Sequence, residues 1–121
     1  MQAVAVLDEP HLDAMTGGDL ALQVELIGLF DTQAALWQRL FTPNAPLHTW
    51  RDAAHSCKGS AKGLGLWRLA DAAAAAEDLG REGMKEGPEV QAALDNLRAE
   101  LVLALEVLQA MRPRLLAAND A

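Results

Sequence analysis

Apolar residues stepping by three and four recur in four long stretches, and short runs rich in glycine or proline separate them. That rhythm fits one buried face per helix and leaves little that reads as strand. The first break is Thr16-Gly17-Gly18, which stops a short helix that starts at Asp8-Glu9-Pro10. Asp8 suits the cap of that helix, and Pro10 an early helical position. Asp19 then caps a longer helix reaching about Phe41, with an apolar stripe of Leu20, Val24, Ile27, Phe30, Ala34, Trp37 and Phe41. A second row on the same helix, Leu22, Leu26, Leu29, Leu36 and Leu40, exceeds what one buried face needs. Either the short first helix covers this surplus or part of it stays exposed as a docking surface.

Thr42-Pro43-Asn44-Ala45-Pro46 cannot continue a helix, so a third one is expected from Leu47 to about Leu64. Its apolar stripe is Leu47, Trp50, Ala54, Cys57, Ala61 and Leu64, and Gly65 suits its end. The fourth helix is expected from Leu66 to about Leu79, with an alanine-rich inward face of Leu66, Leu69, Ala70, Ala73, Ala76 and Gly80. Arg81 to Pro88 reads as a turn. The last helix carries Val90, Leu94, Leu97, Leu101, Ala104, Leu108 and Met111, and Pro113 is expected to end it in a frayed tail. The expectation is an all-α chain, residues 1–121 as a single domain. Its core is an antiparallel four-helix bundle over about 8–112 with a short N-terminal cap helix.

Charge narrows the function. The net charge of −7 argues against a general nucleic-acid binder or a ligand of anionic membranes. No apolar run is long enough to span a bilayer, and the N-terminus lacks the basic region of a signal peptide. A single cysteine, Cys57, suits a reducing compartment, so a cytoplasmic location is expected. Against this acidic background, Arg51, Lys58, Lys62 and Arg68 gather between residues 51 and 68, around His55.

His55 falls with Arg51, Lys58 and Lys62 on the polar face of the third helix, well off the apolar stripe. Gly59, one turn on, leaves bare backbone beside the ring. Glu77 falls on the apolar face of the fourth helix, an odd place for a carboxylate without a partner. His55 and Glu77 each lie 11 residues from Leu66. In a helical hairpin turning there, both sit about 16 Å from the turn, side by side. Glu77 could then accept the imidazole Nδ1–H and leave Nε2 free as a nucleophile. The competing reading is that Glu77 reaches solvent or pairs with Arg81 at i+4. Lys58 can neutralise an anion held on the ring, while Lys62 and Arg51 extend the positive field. Together these residue types suit a phosphoryl acceptor, because phosphoryl transfer needs mostly positioning and charge neutralisation.

A metal site built on His55 with Cys57 or His48 lacks further ligands, so no metal or other cofactor is expected on this chain. Cys57 reads as a small core residue, and His11 and His48 as plain surface residues. Trp37, Trp50 and Trp67 read as core or rim anchors.

The run Ala54-His55-Ser56-Cys57-Lys58-Gly59-Ser60-Ala61, with Gly65 and Leu69 beyond it, resembles the signature of histidine-containing phosphotransfer (HPt) domains. The resemblance implies that His55 carries a phosphoryl group, Lys58 stabilises it and Gly59 clears space for a partner. At the position of Glu77 the family holds Gln, or Glu in the chemotaxis-kinase type, where it bonds the histidine. The chain has neither the acid after its histidine that kinase dimerisation domains carry nor a Gly-rich ATP-binding box. The implied function is a monomeric relay protein, not an ATP-dependent kinase. It would accept phosphate from one receiver aspartate and pass it to another, working with response-regulator receiver domains and a hybrid histidine kinase. The receiver would supply Mg²⁺, and docking would use Leu22, Leu26 and Leu29 beside Arg51 and Lys62. Two alternatives stand beside this. One is a non-catalytic helical adaptor for receivers or kinases. The other is the N-terminal phosphotransfer domain of a chemotaxis-type kinase, which a start at Met1 and a frayed end disfavour.

Overall fold

Five helices account for most of the computed structural model, which describes residues 4–120; there is no strand among these residues. They are α1 (Glu9–Thr16), α2 (Leu20–Leu40), α3 (Leu47–Leu64), α4 (Trp67–Arg81) and α5 (Pro88–Asp120). Residues 1–3, the start of the N-terminus expected to lack a signal peptide, and residue 121 of the tail lie outside the described residues. No described helix is long and apolar enough to cross a membrane.

The caps follow from the sequence. Asp8 accepts from the His11 N–H at the start of α1, and Asp19 from the Leu22 N–H at the start of α2. Each carboxylate satisfies one of the N–H groups that a helix start leaves without a partner. Gly65 ends α3 in the left-handed region, at φ 84°. Its carbonyl accepts from the Asp8 N–H at 2.9 Å, and a Cβ there would lie 2.9 Å from the Asp8 carbonyl oxygen. One glycine therefore ends α3 and lets the N-terminal segment lie against the α3–α4 turn.

The helices pack in a ring: α3 against α4, α4 against α5, α5 against α2 and α2 against α3, with α1 on α2 and α3. Trp50, Ala54, Cys57, Ala61 and Leu64 are buried on α3, Leu69, Ala70, Ala73 and Ala76 on α4, and the two helices pack against each other. Small residues on both sides let the two backbones approach closely. The approach is close at Gly80, where a Cβ would fall 2.9 Å from Arg51 Cβ and Cγ and 3.1 Å from Trp50 Cζ3. Two of those atoms belong to the stem of Arg51 and one to a fully buried ring, so neither can swing aside. Gly80→Ala is expected to destabilise the fold by about 1–3 kcal/mol by forcing α3 and α4 apart. An unchanged midpoint in chemical denaturation would contradict this.

Three features differ from the sequence expectation. First, α4 starts at Trp67 with Leu66 as its cap, and it runs on through Arg81. Second, Gln23 occupies a core position on α2, while Leu20 and Val24 are only half-buried. The amide tolerates burial because its Nε2 donates to Asp13 Oδ1 at 2.9 Å and to Thr16 Oγ1 at 3.0 Å. Third, α5 passes through Pro113 and remains helical to Asp120 instead of fraying. Proline already has a helical φ, and its lost N–H bond frees only one carbonyl, on an exposed turn. Met111 and Leu115 pack on the core on either side of it. Arg112 and Arg114 reach Asp31 and Glu9 at 3.9 and 3.8 Å.

Candidate functional site

His55 stands on the outer face of α3 with 64% of its side chain exposed, while the Glu77 side chain on α4 is only 2% exposed. The hairpin brings them together, with His55 Nδ1 2.5 Å from Glu77 Oε2. An ionised carboxylate can only accept, so the proton of this bond sits on Nδ1, and in the neutral imidazole the other nitrogen, Nε2, carries the lone pair.

Glu77 has two more partners. Lys58 Nζ donates to Oε1 at 2.5 Å, and Arg81 Nη2 donates to Oε2 at 3.2 Å. Glu77 therefore meets His55 across the hairpin and Arg81 along its own helix at once, and at 2% exposure it does not reach solvent. The Lys58 contact is one that sequence reasoning missed. The sequence placed Lys58 beside His55 on α3, but its ammonium bends to the carboxylate on α4. Its side chain is 21% exposed. Burial pushes the Glu77 carboxyl up. Hydrogen bonds from Lys58 and His55, with the charges of Lys58 and Arg81, outweigh burial and hold it below the usual carboxylate range. Glu77 is thus ionised at neutral pH.

Gly59 lies mid-helix, and a Cβ built on it would meet nothing within 4 Å. Nothing inside the molecule requires glycine there, although glycine costs a helix interior about 1 kcal/mol relative to alanine. Arg51 lines the basin around His55 with Asp52, Glu77 and Arg81, and its Nε donates to Asp52 at 3.1 Å. Lys62 is exposed one turn beyond Lys58.

The surplus apolar row of α2 is partly covered. Leu22 and Leu26 are half-buried, whereas Leu29 is 57% exposed and Leu36 47%. Met15 of α1 joins Leu26, Leu29, Phe30, Gly63 and Leu64 around a groove of about 340 Å³ between α2 and α3. Ser60 bonds Gln33 across the groove at 3.3 Å.

Cys57 is fully buried, and burial pushes its thiol up to about 12, as suits a core residue. Among the described residues, no three His, Cys, Asp or Glu side chains gather so as to hold a metal ion. His48 is exposed as expected. His11 is not a plain surface residue: its ring packs edge-on against Trp67, with centroids 4.9 Å apart.

The family model of the Hpt domain matches residues 17–113, so the chain belongs to the Hpt domain family. It is similar in structure to the histidine phosphotransferase ShpA from Caulobacter crescentus, with a TM-score of 0.73 and 26% sequence identity. That match covers 97% of this chain and 100% of the other. No curated protein gives a match. The chain's role is that of a histidine phosphoryl carrier in a phosphorelay, and Hpt proteins work there with receiver domains and histidine kinases.

Proposed function

We propose that His55 is the residue that carries the phosphoryl group. The observation behind this is an exposed imidazole whose Nδ1 is held by a buried carboxylate. The Nε2 lone pair attacks the phosphorus of a receiver aspartyl phosphate in line with the bond to the aspartate oxygen. The N–P bond forms, the P–O bond breaks, and the aspartate leaves with the electron pair as a carboxylate. Positive charge develops on the ring during attack, and Glu77 faces it through the Nδ1–H. Return to a second receiver runs the same step backwards. Glu77 and Lys58 are positioning residues in this reading, with Lys58 also near enough to share in neutralising the phosphoryl group. The receiver brings the Mg²⁺, and the chain has no ATP-dependent kinase activity of its own.

The reading extends to the whole chain. It acts as a cytoplasmic monomer and a single domain, an antiparallel four-helix bundle with α1 as its cap. A receiver docks on the α2 row of Leu22, Leu26 and Leu29, of which Leu26 and Leu29 line the α2–α3 groove, while Arg51 and Lys62 attract its acidic active-site rim. Gly59 leaves room for that rim. Gly59→Ala should stabilise the fold by about 1 kcal/mol and yet slow transfer from a phosphorylated receiver. Transfer at the wild-type rate would remove Gly59 from the interface. The role as a whole is tested by phosphotransfer profiling against the receivers of the source organism. Rapid, selective labelling by a few of them is expected, and labelling by none would overturn it.

A further inference from the structure

The charges around His55 do not cancel, because Lys58 and Arg81 share the one carboxylate of Glu77. Arg51 is paired with Asp52 at 3.1 Å, and Lys58 with Glu77 at 2.5 Å. Arg81 is the remaining cation at the basin, which is lined by Arg51, Asp52, His55, Glu77 and Arg81. Its side chain is 61% exposed, and its hold on Glu77 Oε2, at 3.2 Å, is the longest of the three bonds to that carboxylate. That same oxygen accepts the His55 Nδ1–H, so the guanidinium stands beside the imidazole ring.

We propose that Arg81 is a phosphoryl-binding residue, whose guanidinium contacts the phosphoryl oxygens once the group is on His55. The inference rests on His55 being the acceptor. A guanidinium has five N–H donors, and the described contacts of Arg81 use one. The donors left over form a fork that matches a tetrahedral anion, whereas the Lys58 side chain is mostly shielded and its ammonium tied to Glu77. Arg81 can keep one N–H on Glu77 while the others turn to the phosphoryl group. A dianion arriving on Nε2 then meets, at the same basin, a cation that only half-owns its carboxylate and is already tethered by it, with little ordering left to do. The i,i+4 spacing that links Arg81 to Glu77 thus sets the cation's position and is not merely a helix-surface ion pair.

The full-length chain can be phosphorylated without any receiver by phosphoramidate. The P–N bond of the donor breaks, the bond from His55 Nε2 to phosphorus forms, and ammonia leaves. The ³¹P resonance of the product is then followed against pH. A nearby cation favours the dianion and lowers its pKa, so Arg81→Ala should raise the phosphoryl titration by about 0.5–1 unit. Arg81→Lys should restore part of the shift. In a Glu77→Gln background the effect of Arg81→Ala should persist, because the contact is direct. An unchanged titration in Arg81→Ala, or a shift that vanishes in that background, would overturn the proposal while leaving His55 as acceptor. A wild-type chain that takes up no phosphoryl group on His55 would overturn the acceptor assignment and this inference together.

Discussion

Replacing His55 with alanine should abolish phosphoryl transfer to the chain and leave a folded helical protein. The imidazole is mostly exposed and adds nothing to the apolar core. Its removal takes one hydrogen bond from Glu77, which keeps Lys58 and Arg81. The stability loss should therefore be about 1 kcal/mol, the net worth of one such bond. Transfer should fall to background because no other side chain at the basin offers a neutral nitrogen lone pair: its other members are two arginines and two carboxylates. Circular dichroism and receiver-dependent labelling, measured on one preparation, check both halves. Labelling of His55→Ala at the wild-type level would end the assignment.

The second large effect belongs to Glu77→Ala, which should damage fold and transfer together. The carboxylate is almost fully buried, and three donors converge on it. Deleting one member of a buried charge cluster costs about 3–5 kcal/mol when the others cannot reach water. Here Arg81 and His55 are largely exposed and can rehydrate, while Lys58 is more confined. A loss of about 2 kcal/mol is the expected result. Transfer should slow by about tenfold or more, since Nδ1 loses the acceptor that fixes its tautomer and faces the ring's developing charge. The acid limb of stability should change too. The Glu77 carboxyl is held below the usual range, so its contribution is complete at neutral pH and is lost as pH falls through that lowered value. Glu77→Ala should therefore lose less stability than the wild type on acidification. Equal acid sensitivity of the two proteins would show that the cluster does not contribute in this way.

Much of this arrangement could be read in the sequence because it rests on periodicity and caps. The bounds of α3 follow from Pro46 at one end and Gly65 at the other. The meeting of His55 with Glu77 follows from their equal distance from a turn at Leu66 and from a carboxylate otherwise stranded on an apolar face. What escaped the sequence depends on three-dimensional reach. Lys58 lies one turn from His55, and only the depth of Glu77 in the α3–α4 seam draws its ammonium away. Gln23 was not legible as core because its partners, Asp13 and Thr16, come from a different helix. Proline at 113 signals a helix end from local rules, yet Met111 and Leu115 hold α5 to the core across it. Gly59 and Gly80 look alike in sequence. One faces open space and the other lies against Trp50 and Arg51, a difference that only packing reveals.

The central claim is that the phosphoryl group resides on His55. After incubation with a phosphorylated cognate receiver, peptide mass spectrometry should find one added phosphoryl group on the peptide containing His55. The modification should be lost in acid and kept in base, as expected of a phosphorus–nitrogen bond. A modification on another residue, or one that survives acid, would contradict the account.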